Sequence, residues 1–263
     1  MKIVKLIASD LDGTLFGPDS VPEPRTVEAV NAVVEAGYVF VAVSGRSYFG
    51  GAKRVVSTGA VAHWFIGSNG GHRFNLQTEQ LEERLIFDAA HIEAIRADLP
   101  SNVDGVGFGF EHATGFSYDD GFRRAFPHAF DGGPRTNSAD YSPHDIGKIF
   151  VSHTSIPETE LIGATRPHVP DGTHVTVSGT SFVELTPQGA DKAMGLERLC
   201  RQLGIDASEV IAFGDNNNDL SMLAWAGRGI AMANATPEVL ASAREVTASN
   251  TDFGVAQVLE SLL

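Results

Sequence analysis

The chain has 263 residues, 43% hydrophobic and 20% charged, the make-up of a globular protein with length for one large domain or two modest ones. Nineteen Lys and Arg against 33 Asp and Glu give a net charge of −14, which argues against nucleic acid or an anionic membrane as partner. The single Cys200 excludes an internal disulfide and suits a reducing compartment, and no apolar stretch approaches the ~20 residues that span a bilayer. With no apolar leader before the first strand, the expected setting is cytoplasmic.

Val4 to Ala8 is an apolar run of buried-strand type that ends in Asp10-Leu11-Asp12-Gly13-Thr14. Two acids one residue apart at the end of an interior strand are either a cap-and-turn pair or a site compensated by a cation or a proton. Val27, Val30, Val33 and Val34 have helical spacing over Arg25 to Ala36, and Gly37 is a natural stop. Tyr38 to Val43 is a continuous apolar strand ending in Ser44-Gly45-Arg46, followed by a helix through about Ser57. His63 to Ile66 is a third strand, and Gly67-Ser68-Asn69-Gly70-Gly71 follows it. Strand alternating with helix predicts right-handed crossovers and a doubly wound parallel-sheet core, Rossmann-like, whose ligands sit at the carboxyl ends of the strands.

From about Phe74 to Ser178 the pattern changes. A helix over Phe87 to Leu99 lies among glycine- and aromatic-rich segments such as Val106 to Phe110 and Gly115 to Tyr118. Strands are expected over Lys148 to Ser152 and His174 to Ser178, with a short helix over Ile156 to Thr165. This block reads as an inserted α+β domain. Core-like strands resume at Ser181 to Leu185, then a helix over Ala190 to Leu203 carries Lys192 in its first turn. Val210 to Phe213 is a further buried strand, ending in Gly214-Asp215-Asn216-Asn217-Asn218-Asp219. Leu220 to Ala226, Pro237 to Ala243 and Asp252 to Leu262 read as helices, and Arg228 to Met232 as a strand.

Asp10-Leu11-Asp12-Gly13-Thr14, Ser44-Gly45-Arg46, Lys192 and Gly214-Asp215-x-x-Asn218-Asp219 stand in this order at strand ends or beside them. In that combination the chain resembles the haloacid-dehalogenase-like phosphohydrolase superfamily, and within it the Cof-type branch with an α+β (type II) cap. The resemblance implies an α/β catalytic core over residues 1–77 and 184–263 and a cap over 78–183 that chooses the substrate. It implies a phosphatase acting on small phosphorylated metabolites, sugar phosphates first, through an aspartyl-phosphate. Asp10 would be the nucleophile, and Asp12 the acid that protonates the leaving oxygen and then takes a proton from water. Lys192 would neutralise charge on the phosphoryl group. Leu11, Ser44, Gly45, Arg46, Asn69 and Asn218 would bind substrate or phosphate. Mg²⁺ is the implied cofactor, held by Asp10, Asp12 through its main-chain carbonyl, and Asp215, with Asp219 as a further candidate. Hard oxygen donors independently suit that ion.

Alternatives stand beside several of these residues. Ser44-Gly45 and Asn69-Gly70 can be plain turns, Lys192 a solvated surface lysine, and Asp219 the cap of the helix after it or the orienter of Lys192. Arg46 can reach the substrate, pair with the cap or face solvent. The rival functions are a phosphotransferase or phosphosugar mutase on the same scaffold, a receiver-like domain, and a phosphate-binding protein without catalysis. A receiver is about half this length, and no catalytic position is missing here. Scattered histidines without a His-Glu-x-x-His or Cys/His cluster argue against zinc. In the cap, Arg123, Arg124, His144 and Lys148 are candidate substrate readers, though residues of this kind are more often solvated surface groups. The expected partner is a small phosphate ester, with a monomer or homodimer as assembly.

Overall fold

The computed structural model describes residues 4–127, 144–177 and 181–263. The chain runs β1 (Leu6–Asp10), α1 (Pro24–Glu35), β2 (Val39–Val43), α2 (Tyr48–Ser57), β3 (Trp64–Gly67), β4 (His72–Asn75) and β5 (Gln80–Arg84). There follow α3 (Ala89–Asn102), β6 (Gly107–His112), β7 (Gly115–Tyr118), α4 (Asp120–Ala125), β8 (Lys148–Ser152), α5 (Glu158–Thr165), β9 (His174–Thr176) and β10 (Val183–Thr186). The last part is α6 (Lys192–Leu203), β11 (Val210–Gly214), α7 (Leu220–Trp225), β12 (Arg228–Met232), α8 (Pro237–Ser242), β13 (Glu245–Thr247) and α9 (Gly254–Glu260). Two compact units result, one from Met1–Glu83 with Asp191–Leu263 and the other from Arg84–Ala190.

The first unit holds an eight-stranded sheet in the order β13-β12-β11-β1-β2-β3-β4-β5. Its centre is parallel: Leu6 stands opposite Val210 on one side and Val39 on the other. Central parallel strands are covered on both faces, so their alternate residues serve two cores. Ile7, Phe40 and Ala42 pack with Val30, Val33, Val55 and Val255 of the helices on one face. Leu6, Ala8, Val41 and Val43 pack with Leu196, Leu199 and Met222 on the other. Each fully buried Val, Leu, Ile, Phe or Met among them contributes roughly 1.5–3 kcal/mol of hydrophobic stabilisation. This is the expected doubly wound α/β core. Helix α1 starts at Pro24, one residue before the expected Arg25, and left-handed Gly204 ends α6 where the sequence placed its end. The antiparallel β4 beside β3 extends the core sheet past the stretch read from sequence as a turn.

The second unit is an antiparallel sheet in the order β7-β6-β8-β10-β9. Phe108, Phe110, Ile149, Val151, Val183 and Leu185 bury one of its faces with Ile92, Ile95 and Leu99 of α3 and Leu161 of α5. The sequence reading returned β10 to the core, with the cap over 78–183. The structure instead pairs Val183 with Val151 and Leu185 with Val175, inside the second sheet. The reason is visible in Val183-Glu184-Leu185-Thr186. Apolar and polar residues alternate there, as in a strand with one apolar face, whereas β2 is apolar throughout and β1 is apolar from Leu6 to Ala8. The unit boundary falls accordingly at Glu83 and Asp191. The Ser178 end of the strand expected over residues 174–178 lies outside the described residues.

Candidate active site

Asp10 ends β1 and is 5% exposed. The chain then turns tightly, the Phe16 amide donating to the Leu11 carbonyl at 2.7 Å and the Leu15 amide to the Asp10 carbonyl at 3.2 Å. Gly13 makes the turn with φ +87, and a Cβ there would stand 2.3 Å from Asp215 Oδ2. Only glycine admits both the conformation and the closeness. Thr14 links its turn to the loop after β11, because its hydroxyl donates to Asp215 Oδ1 at 2.7 Å. The side chain of Leu11 is fully buried in the apolar core, so only its main chain is available to a ligand.

Lys192 is the first residue of α6 and is 1% exposed. The Asp191 carboxylate caps that helix by accepting from the amides of Ala193 and Met194, which sets the direction in which Lys192 leaves it. Its ammonium donates to Asp10 Oδ1 at 2.6 Å and to Asp219 Oδ1 at 2.5 Å. It is not a solvated surface lysine. The other oxygen of Asp219 accepts from the amides of Asp215 and Asn216, each at 3.0 Å. Protein donors therefore occupy both oxygens of Asp219, which favours a role in orienting Lys192 over direct ligation of a metal.

Burial dominates the electrostatics here. It pushes the Asp10 carboxyl well above the usual carboxylate range, Lys192 working against it and Asp219 and Asp215 adding to it. The Asp215 carboxyl is raised to about 6, first by burial, with the Thr14 hydrogen bond opposing and Asp219 adding. Burial also works against the charge on Lys192, but Asp10 and Asp219 outweigh it and hold the ammonium protonated. Three carboxylates face one cation, and a further cation would relieve the excess.

Ser44, 2% exposed, follows β2, and its hydroxyl accepts from the Arg46 amide at 3.1 Å. Arg46 meets an acid of its own unit. Its Nε and Nη2 donate to the two oxygens of Asp12, both at 2.6 Å, with both side chains about two-fifths exposed. The acid named for proton transfer is thus held by a guanidinium. Asn69 lies in the short 3-10 turn after β3, and Ser68, Asn69 and Gly70 in succession have φ of 50, 52 and 94. Asn69 Oδ1 accepts from Asn218 Nδ2 at 3.0 Å, so the two amides expected to bind phosphate are neighbours. A Cβ on Gly70 would stand 2.1 Å from the Asp191 carbonyl, which packs this turn directly against the start of α6.

Asp10, Lys192, Asp215 and Asp219 thus converge at the carboxyl ends of β1 and β11, with Asp12 and Arg46 beside them. A model of haloacid dehalogenase-like hydrolases matches residues 7–259. The chain belongs to this family. A relative from Haemophilus influenzae is 30% identical with 97% of each chain covered. A Bacillus subtilis relative named 5-amino-6-(5-phospho-D-ribitylamino)uracil phosphatase YitU is 27% identical, over 97% of this chain and 96% of its own. A solved haloacid dehalogenase-like hydrolase of B. subtilis superposes with a TM-score of 0.84 at 25% identity, covering 99% of this chain and all of that one. The chain is a phosphatase of the Cof-type branch, as its motifs implied.

Phosphatases of this family generally use a metal ion, and the donors here fit one. Oxygens of Asp10, Asp215 and Asp219 lie within 4.8 Å of one another, in the one such group among the described residues. All are hard carboxylate oxygens, the donor type that Mg²⁺ takes. Of the residues the sequence offered from the cap, Arg123, Arg124 and His144 are exposed, while Lys148 is buried and pairs with Glu184 at 3.0 Å. The sequence reading missed Asn234 and Thr236, because no motif marks them. Their polar side chains directly after β12 were the available signal.

Proposed function

We propose that the chain is a Mg²⁺-dependent phosphatase of small phosphorylated metabolites that works through an aspartyl-phosphate on Asp10. What carries this reading is Lys192, fixed between Asp10 and Asp219 with Asp215 at hand. A phosphoryl group transferred in such a place needs its charge neutralised and its attacker held in line, and this cluster supplies both. Asp10 attacks phosphorus, and the bond to the leaving oxygen breaks while Asp12 supplies the proton that oxygen needs. Asp12 must first leave Arg46. A water then attacks the phosphorus of the aspartyl-phosphate, Asp12 accepts its proton, and inorganic phosphate departs from a regenerated Asp10. Lys192 stays protonated throughout and faces the transferred oxygens, with Ser44, Gly45 and Asn218 as hydrogen-bond donors to them. Asp10, Asp215 and the Asp12 carbonyl would hold Mg²⁺, which when bound would draw charge from the phosphoryl oxygens and keep the carboxylates ionised.

The similarity to a phosphatase named for a phosphoribityl compound supports a phosphorylated polyol or sugar as substrate class. A phosphate-release assay with Mg²⁺ over a panel of sugar and polyol phosphates tests the reading. Turnover without an added acceptor is expected, stopped by EDTA and absent from Asp10→Asn. Turnover that survives chelation would remove the metal from the scheme, and an active Asp10→Asn would remove the covalent step.

A further inference from the structure

The two loops that carry the metal oxygens leave adjacent strands, but beyond the strand ends no ladder holds them together. A third segment does. It follows β12, and it hydrogen-bonds to the main chain of both loops. Asn234 Nδ2 donates to the Gly13 carbonyl at 2.8 Å, one residue beyond the Asp12 carbonyl. The Thr236 amide donates to the Asp215 carbonyl at 2.9 Å, and the Thr236 hydroxyl donates to Asn217 Oδ1 at 2.7 Å. Asn234 is itself oriented, because its Oδ1 accepts from the Asn250 amide at 2.9 Å. The same Asn250 donates from Nδ2 to the Phe16 carbonyl at 2.9 Å, on the far side of the first loop's turn.

We propose that Asn234 and Thr236, with Asn250 behind them, are positioning residues that set the distance between the Asp10–Asp12 turn and Asp215, and hence the affinity for the divalent cation. This deepens the metal reading above and rests on it. The contacts are uncharged, so they act on geometry. Two of them, from Asn234 Nδ2 and the Thr236 amide, bind the backbone beside or at a residue that would offer an oxygen to the ion. Asn234 fixes the peptide after Gly13 and with it the direction of the neighbouring Asp12 carbonyl. Thr236 fixes the backbone of Asp215, whose side chain Thr14 already holds from the opposite loop. Outer partners of this kind typically change metal affinity by about 10–100-fold when lost. Asn234 and its bond partners lie near the surface, so replacing it leaves the cores intact.

The rival explanation is that Thr236 merely caps α8, since its hydroxyl also accepts from the Val239 amide at 3.4 Å. Titration of the full chain with Mg²⁺ by calorimetry, with the melting temperature of the metal-free protein alongside, separates the two. Asn234→Ala is expected to weaken Mg²⁺ binding about tenfold with the metal-free melting temperature nearly unchanged. Thr236→Val keeps the amide bond to Asp215 and removes only the hydroxyl bond to Asn217, so it should weaken binding less than Asn234→Ala, and Thr236→Ser should bind as the parent does. Asn250→Ala should act in the same direction as Asn234→Ala. Binding equal to that of the parent in Asn234→Ala and Thr236→Val, whatever happens to the melting temperature, overturns the proposal. If the parent chain itself binds no Mg²⁺, the metal reading fails first, and with it the premise.

Discussion

Two lysines of this molecule are equally buried, each with a side chain 1% exposed, and they live in different worlds. Lys148 begins strand β8 in the second unit, pairs with Glu184 at 3.0 Å and has its ammonium 5.3 Å from the centre of the Phe150 ring. Glu111 stands opposite it in the ladder. Strands on both sides fix the backbone of β8, so the pair is part of a rigid sheet. Lys192 begins a helix and meets one acid at the end of a parallel strand and another in the loop after its neighbour. Burial alone does not separate the two, because a buried lysine must be paired wherever it stands. What separates them is where the oxygens come from. Around Lys192 they converge from a strand end and a loop into a group that can hold an ion, and among the described residues no such group forms around Lys148.

This contrast is most exposed to disproof by replacing each lysine with Met. Lys192→Met should cost about 10²–10³-fold in kcat, because a preorganised charge facing the phosphoryl group is gone. Lys148→Met should leave kcat for a small aryl phosphate within severalfold, but should lower stability by about 3 kcal/mol, since Glu184 is left buried without its partner. Denaturant unfolding measures the second effect and phosphate release the first. A Lys148→Met protein of normal stability with lost turnover would break the contrast and move Lys148 into substrate handling.

The pH dependence comes next in size. In metal-free protein Asp215 has its carboxyl raised to about 6, so the folded state favours the protonated form. Between its ordinary value near 4 and about 6, the folded chain binds a proton that the unfolded chain has released. Stability of the metal-free protein therefore falls as pH rises through this window. Mg²⁺ reverses that trend by favouring the ionised form. The rise in melting temperature on adding saturating Mg²⁺ should be large at pH 7.5 and small at pH 5. A shift independent of pH would mean that Asp215 is not a ligand.

Much of this site could be read from the chain because its chemistry sits in short contiguous runs. The Asp10–Thr14 run, Lys192 and the Asp215–Asp219 run each follow or abut a strand or helix whose apolar pattern is strong. The cores of β1, β2, β11 and α6 were legible for the same reason. What stayed hidden depends on pairs far apart in sequence. The Arg46 grip on Asp12 joins residues 34 apart, and the Asn234 contact to Gly13 joins residues 221 apart. No local spacing announces either. The strand β10 was misplaced because a strand of four residues reads alike in either sheet unless its alternation is weighed. Asn69 was read as a turn residue or a ligand, and it is both a strained turn and the partner of Asn218.

The smallest effect concerns how Lys192 is aimed. Lys148 needs no such device, because it stands in a strand of the sheet, opposite Glu111 of β6. Lys192 starts a helix, and its direction depends on Asp191, which caps that helix and accepts from Ser221 Oγ at 2.7 Å. Asp191→Ala should therefore cost about 1 kcal/mol of stability, the usual value of a lost cap. It should also lower kcat severalfold, as the first turn loosens and the ammonium drifts from Asp10. Ser221→Ala keeps the cap and removes only the brace on it, so it should leave stability nearly unchanged and lower kcat by less than Asp191→Ala. Were Asp191→Ala to lose stability with kcat intact, Lys192 would be held by Asp10 and Asp219 alone, and the helix start would be scaffold.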